Sequence, residues 1–168
     1  MSLQMSMRMD GVTGESSSFA HKDWFDVISW NWGMTSNRKS AKIADGDAIS
    51  LNEISIVKNI GIDSADIRLL YSNGSVIPTI DFSIRPETAK RQAATKYVDI
   101  RLEGVVIKSI VTGGNIEDKL FKEHITLLFD KINFEYSKLA RQSADGKESA
   151  PEQGYKFGWD VVSKSEWK

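Results

Sequence analysis

Hydrophobic and polar residues alternate with a period of two along most of the chain, the pattern of strands that bury one face. Leu3, Met5, Met7 and Met9 alternate with polar neighbours until Asp10-Gly11 breaks the run. Trp24, Ile28, Trp30 and Trp32 share one parity, and Phe25 and Val27 occupy the other, so a strand over 24–32 is expected to be covered on both sides. Ile80, Phe82 and Ile84 define another strand, as do Val98, Ile100 and Leu102. Ile125, Leu127 and Phe129 run into Ile132, Phe134 and Tyr136 with a parity shift around Asp130-Lys131. Weaker strands are expected over 49–60, 105–112 and 155–163. The period changes once. Asp63 is placed to cap a helix, Asp66 follows near its positive end, and Ile67, Leu70 and Tyr71 form a stripe before Asn73-Gly74. One short helix, about 63–73, among many short strands predicts a mainly β fold, a small closed barrel or tight sandwich.

Three connections interrupt this pattern. The first, about 34–48, is long and carries Arg38, Lys39, Lys42, Asp45 and Asp47 without apolar periodicity, which is the character of an extended functional loop. The second, 85–96, contains Pro86 and the basic residues Arg85, Lys90, Arg91 and Lys96; a solvated loop is favoured over a phosphate contact. The third, 138–154, is polar with two glycines and Pro151. No repeat or compositional break divides the 168 residues, so a single domain, 1–168, is expected.

Charge and composition narrow the function classes. With 22 Lys and Arg against 23 Asp and Glu, no global field favours nucleic acid or an anionic membrane, while self-association costs little. The absence of cysteine removes disulfides, thiol nucleophiles and thiolate metal sites. No apolar run approaches the roughly 18 residues of a membrane helix. The alternating N-terminal residues lack the apolar core of a secretory signal, so export by the ordinary route is not expected.

Catalytic chemistry is nearly silent. His21 and His124 are far apart and fit no metal-ligand spacing, and no phosphate-binding or nucleophile motif occurs. Asp10 with Glu15 could serve as an acid–base pair in a small hydrolase, but turn-making is the blander reading. Trp24, Trp30 and Trp32 could stack on sugars, as in a secreted β-sandwich carbohydrate-binding module; a barrel core is the stronger alternative because aliphatic residues share their face. Neither an enzyme nor a cofactor is expected.

The order of short motifs points further. Asp10-Gly11-Val12-Thr13-Gly14-Glu15-Ser16, His21-Lys22-Asp23-Trp24 and Ser29-Trp30-Asn31-Trp32-Gly33 resemble the opening of the haemolysin-coregulated (Hcp) proteins of the bacterial type VI secretion system. The likeness continues through Ala41-Lys42, Ser50 to Lys58, Ile77-Pro78, Tyr97 to Leu102, Val105 to Gly114, Glu123 to Tyr136 and Gly158-Trp159-Asp160. The methionine-rich start and the 138–154 loop depart from it.

The resemblance implies a small β-barrel of two packed antiparallel sheets with one flanking helix, assembling as a hexameric ring. Such rings stack into a hollow tube inside a contractile sheath, meet a trimeric spike and carry effectors in the lumen. The protein would assemble in the bacterial cytoplasm and be expelled without a signal peptide. The subunit interface is expected at Arg38, Lys39, Lys42, Asp45 and Asp47, with Asp10, Glu15 and Lys22 as a second candidate contact. The barrel core is expected to include Trp30, Trp32, Ile80, Phe82, Ile100, Leu127, Phe129 and Trp159.

Overall fold

The computed structural model describes residues 2–18, 21–44, 46, 48–87, 97–137 and 154–168. In chain order the elements are β1 (Leu3–Met9), β2 (Phe25–Asp26), β3 (Ser29–Asn31), β4 (Met34–Ser36), β5 (Ile49–Leu51), β6 (Ile54–Asn59) and helix α1 (Ser64–Ser72). They continue with β7 (Ile77–Pro86), β8 (Val98–Gly113), β9 (Lys122–Leu128), β10 (Lys131–Tyr136), β11 (Tyr155–Asp160) and β12 (Ser165–Glu166). The fold is mainly β, a barrel of two packed antiparallel sheets flanked by one short helix.

The first sheet has the order β12-β11-β10-β8-β7-β1-β2, and the second has β8-β9-β6-β3. Strand β8 belongs to both. Its partner arm is continuous too: Val106 pairs with Leu128 in β9, and Glu103 pairs with Lys131 in β10, in one antiparallel register. Gly104 and Asp130 therefore face each other where both arms bend. Gly104 has a φ of 62°, in the left-handed region that favours glycine. The Asp130 amide donates to the carbonyls of Glu103 and Gly104 at 3.0 and 3.2 Å. The sequence suggests two strands, 98–102 and 105–112, because Gly104 interrupts the alternation. The backbone instead bends there and continues.

The other seam lies in the tryptophan segment. Residues 24–32 are not one strand: β2 pairs with β1, and β3 pairs with β6. Between them the Val27 amide donates to the Met5 carbonyl at 2.9 Å and the Ile28 amide to the Val57 carbonyl at 2.7 Å. Two consecutive residues thus tie the sheets together and close the barrel. Phe25 and Val27 are buried, whereas Ile28 is exposed.

The parity residues meet inside. Met7, Met9, Ile80, Phe82, Ile100 and Leu102 from the first sheet face Ile54, Ile56, Ile125 and Leu127 from the second. Each such side chain contributes about 1.5–3 kcal/mol by leaving water. All eight residues expected in the core lie in this cluster or, for Trp30, Trp32, Phe129 and Trp159, packed partly buried against it.

Helix α1 covers one end of the second sheet. Ile67 is buried and Leu70 packs on the core, but Tyr71, expected on the same stripe, is exposed. Its end follows the asparagine-glycine signal. The Ser75 amide reaches the Leu70 carbonyl at 3.0 Å, the Gly74 amide reaches the Tyr71 carbonyl at 3.1 Å, and Gly74 has a φ of 63°.

Gly104→Ala tests the bend. A Cβ there would stand 2.5 Å from Asp130 Oδ2, on a backbone that L-residues rarely adopt. Urea unfolding should show a loss of about 1–3 kcal/mol. Adding Asp130→Ala should recover part of it, because only the steric share depends on that side chain.

Candidate functional site

Among the described residues, the candidates of the sequence analysis lie on surfaces and strand edges. At one end of the second sheet, between β3 and β6, β4 and β5 pair into a separate two-stranded ribbon that carries the segment expected as an extended loop. Asn37 organises its neck: its amide donates to the Ala48 carbonyl at 3.2 Å, its side chain donates to the Gly46 carbonyl at 3.0 Å, and its Oδ1 accepts from the Ala48 amide at 2.6 Å. Arg38, Lys39 and Lys42 stand exposed on this ribbon with Met34, Ile43 and Ile49. The Arg38 guanidinium donates to the Ala41 carbonyl, which keeps the turn closed. Asp45 and Asp47 lie outside the described residues.

The second group of candidates is elsewhere and is engaged locally. Asp10 accepts from Arg8 at 2.7 Å and from the Thr79 amide at 3.1 Å, pinning the β1 exit to β7. Glu15 accepts from the Ile62 amide at 3.2 Å, fastening the first loop to the approach of α1. Asp10 and Glu15 thus serve different elements. Lys22 is exposed. Lys90, Arg91 and Lys96 lie outside the described residues, and Arg85 donates to Ser83 at 2.8 Å and to His21 at 3.1 Å.

The tryptophans form no common platform. Trp24 stacks on His21 with ring centres 3.9 Å apart, Trp30 meets Phe82 edge-on, and Trp32 lies against Phe134 and Phe157. A sugar-stacking surface needs coplanar, outward faces, and these rings are spent on packing.

A network that sequence reasoning missed joins α1 to the second sheet. Lys58 Nζ lies 2.8 Å from Asp63 Oδ2 and 3.1 Å from Glu123 Oε2. Ser64 donates its hydroxyl to Glu123 at 2.8 Å, and Arg68 reaches the other Glu123 oxygen at 2.5 Å. Lys58, Asp63 and Glu123 are at least 98% buried at their side chains, so each charge depends on the others. Asp63 occupies the N-cap position without a side-chain capping bond, because its carboxylate is committed to Lys58. The strand parity contained the clue. Lys58 shares a face with Ile54 and Ile56, and Glu123 shares one with Ile125 and Leu127. Two opposite charges on the inner faces of paired strands require each other. Burial pushes the Glu123 carboxyl upward, but the Ser64 hydroxyl, Lys58 and Arg68 outweigh it, and the group lies below the ordinary glutamate range.

The outer face of the first sheet carries a second charge pattern. Asp81 accepts from Arg8 on β1 at 2.8 Å and from Arg101 on β8 at 2.7 Å. Partial burial raises the Asp81 carboxyl, while Arg101 and Arg8 hold it below the ordinary value. Such cross-strand pairs each contribute about 0.2–1 kcal/mol and help to set register.

Comparison with known proteins decides the family. A family model described as "Type VI secretion system effector, Hcp" matches residues 7–136. The chain belongs to the Hcp family. Protein hcp1 of Pseudomonas aeruginosa is 28% identical over 164 residues, covering 96% of this chain and 96% of that protein. The crystal structure of Hcp1 from Salmonella typhimurium superposes with a TM-score of 0.73 at 18% identity, over 99% of this chain and 100% of the other. A type VI secretion system effector from Yersinia pestis gives 0.70 at 22% identity, over 94% and 99%. As an Hcp-family chain, this protein is a structural component of type VI secretion. The Hcp match gives the carbohydrate-binding alternative no support. No helix among the described residues is long and apolar enough to cross a membrane.

Two measurements test the buried network. Lys58→Met should lose about 3–5 kcal/mol in chemical denaturation, because two carboxylates stay buried without their ammonium partner. Because the folded value of Glu123 is depressed, its contribution is present above the ordinary glutamate range and lost as pH falls through the lower folded value. Glu123→Gln should flatten that acid limb of the stability profile.

Proposed function

We propose that this chain is the tube subunit of the type VI secretion machinery. In this reading the whole chain acts as one unit, six copies close into a ring, and rings stack into a hollow tube. A contractile sheath and a trimeric spike are its machine partners, and effectors travel in the lumen. The subunit assembles in the bacterial cytoplasm and leaves as part of the expelled tube. Its role is structural and carrying, with no catalysis.

The observation that carries this reading is the open second sheet. Among the described residues, β3 has a strand partner on one side only, and so does the second half of β8. Unpaired strand edges attract further strands, and a cyclic assembly covers them by repeating one heterologous contact until it closes. The projecting ribbon is the second support. Arg38, Lys39 and Lys42, with Asp45 and Asp47, meet a neighbouring copy, and their mixed charges set its register. Asp10 and Glu15 support that contact indirectly by holding the first loop, and Lys22 remains a direct candidate. Family membership supplies the number six.

Native mass spectrometry and negative-stain images of the purified chain should show a six-fold ring with an open centre. A monomer that is retained on a polysaccharide column would overturn the proposal. Replacing residues 38–47 by a short Gly-Ser turn should leave the barrel folded and weaken ring or tube formation. Unchanged assembly would remove the ribbon from the interface.

A further inference from the structure

Four strands present one polar row on the outer face of the first sheet. Asp26 on β2 pairs with Ser6 on β1, Ser6 with Ser83 on β7, and Ser83 with Asp99 on β8. Ser6 and Ser83 alternate with core residues and so point outward, yet both are buried. The segment between β1 and β2, described over 11–18 and 21–24, is fastened at both ends of this row. At one end Asp26 accepts from the Ser16 hydroxyl, and from the amide and hydroxyl of Ser17 at 3.2 and 3.0 Å. At the other end Arg85 Nε donates to His21 Nε2 at 3.1 Å and to Ser83 Oγ at 2.8 Å. Ser83 in turn donates its hydroxyl to Asp99 at 2.8 Å. The His21 ring stacks on Trp24. The Gly14 amide donates to the Asp23 carbonyl at 2.9 Å and the Ser16 amide to the Trp24 carbonyl at 2.7 Å, which ties the two arms of the segment together.

The bond from Arg85 depends on the charge state of His21. Only a neutral imidazole can accept at Nε2; a protonated ring is a donor at both nitrogens. Protonation therefore sets two cations against each other at the distance of a hydrogen bond. Asp99 offsets part of this, since its carboxylate lies 3.8 Å from the Arg85 guanidinium. Arg8 and Asp10 on β1, and Lys22 and Asp23 on the segment itself, border the same depression, and Asp10 is bound to Arg8. Burial, and then Arg85, hold the imidazole below the ordinary histidine value, against the opposite pull of Asp99.

We propose that His21 is an acid-sensitive latch, which holds the segment 11–24 on the first sheet when neutral and frees it when protonated. Attachment is complete above the ordinary histidine range and is lost as pH falls through the lower folded value. Release uncovers the Ser6–Ser83 row and loosens the tie between Glu15 and the Ile62 amide. The latch does not depend on the ring reading. Within that reading it makes the surface around Lys22 differ between neutral and acidic surroundings.

Amide hydrogen exchange of the full chain, corrected for the intrinsic effect of pH, tests the latch. From about pH 7.5 to about pH 5, protection of the Gly14, Ser16 and Trp24 amides should fall by about tenfold, while β6 and β9 keep theirs. His21→Gln keeps an acceptor for Arg85 but takes no proton, and should stay protected at both pH values. Arg85→Met removes the facing cation. It should shrink the loss, and NMR should find the His21 ring titrating at higher pH than in the wild type. Unchanged wild-type protection overturns the proposal, and so does an equal acid loss in His21→Gln. If His21→Gln is already unprotected at neutral pH, Arg85→Met decides: a His21 titration equal to that of the wild type overturns the latch.

Discussion

The fold depends on one paired bend. The long antiparallel arm formed by β8 with β9 and β10 changes direction at Gly104 and Asp130, and both sheets are organised by where each half of the arm points. Glycine is required because the turn uses a positive φ and because the opposite aspartate fills the space of a side chain. The Asp130 amide closes the bend on the Glu103 and Gly104 carbonyls, and its carbonyl holds the start of the terminal turn. A single corner therefore aligns the first sheet, directs the second and anchors the segment beyond β11.

The buried charges complete what the bend begins. Strands β6 and β9 bring Lys58 and Glu123 to the same end of the second sheet, and the start of α1 brings Asp63 and Ser64 onto them. An isolated charge at such depth would cost several kcal/mol, so the helix is bound to one position in which all partners are present. This geometric specificity differs from hydrophobic cover. Ile67 would tolerate a small shift of the helix, whereas a three-way ionic contact would not.

These two constraints leave a definite set of surfaces. The seam at Val27 and Ile28 closes one side of the barrel, and the terminal segment pairs with the end of β11 at Trp159 and Asp160. Among the described residues, β3 and the second half of β8 have a strand partner on one side only. The charged face around Asp81 is already internally paired, which leaves it little to gain from an approaching partner. In the proposed ring, these strand edges and the exposed ribbon residues meet a neighbouring copy. Membership in the Hcp family agrees with a molecule organised around its strand edges.

The alternation of residue types determined most of the strands and their inward faces, because burial on one side of a pleated strand must repeat every second residue. It also determined the helix and its end at Asn73-Gly74, where the local backbone needs glycine. The motif order resembled the Hcp family, which the family match over residues 7–136 then showed. Tertiary structure alone decided that 98–113 is one bent strand and that 24–32 divides between two sheets. Those outcomes depend on which strand lies alongside, and period two is the same whichever neighbour supplies the hydrogen bonds. The same limit hid the Lys58–Glu123–Asp63 network. Its inward charges were visible one by one, but their pairing exists only where β6, β9 and α1 converge.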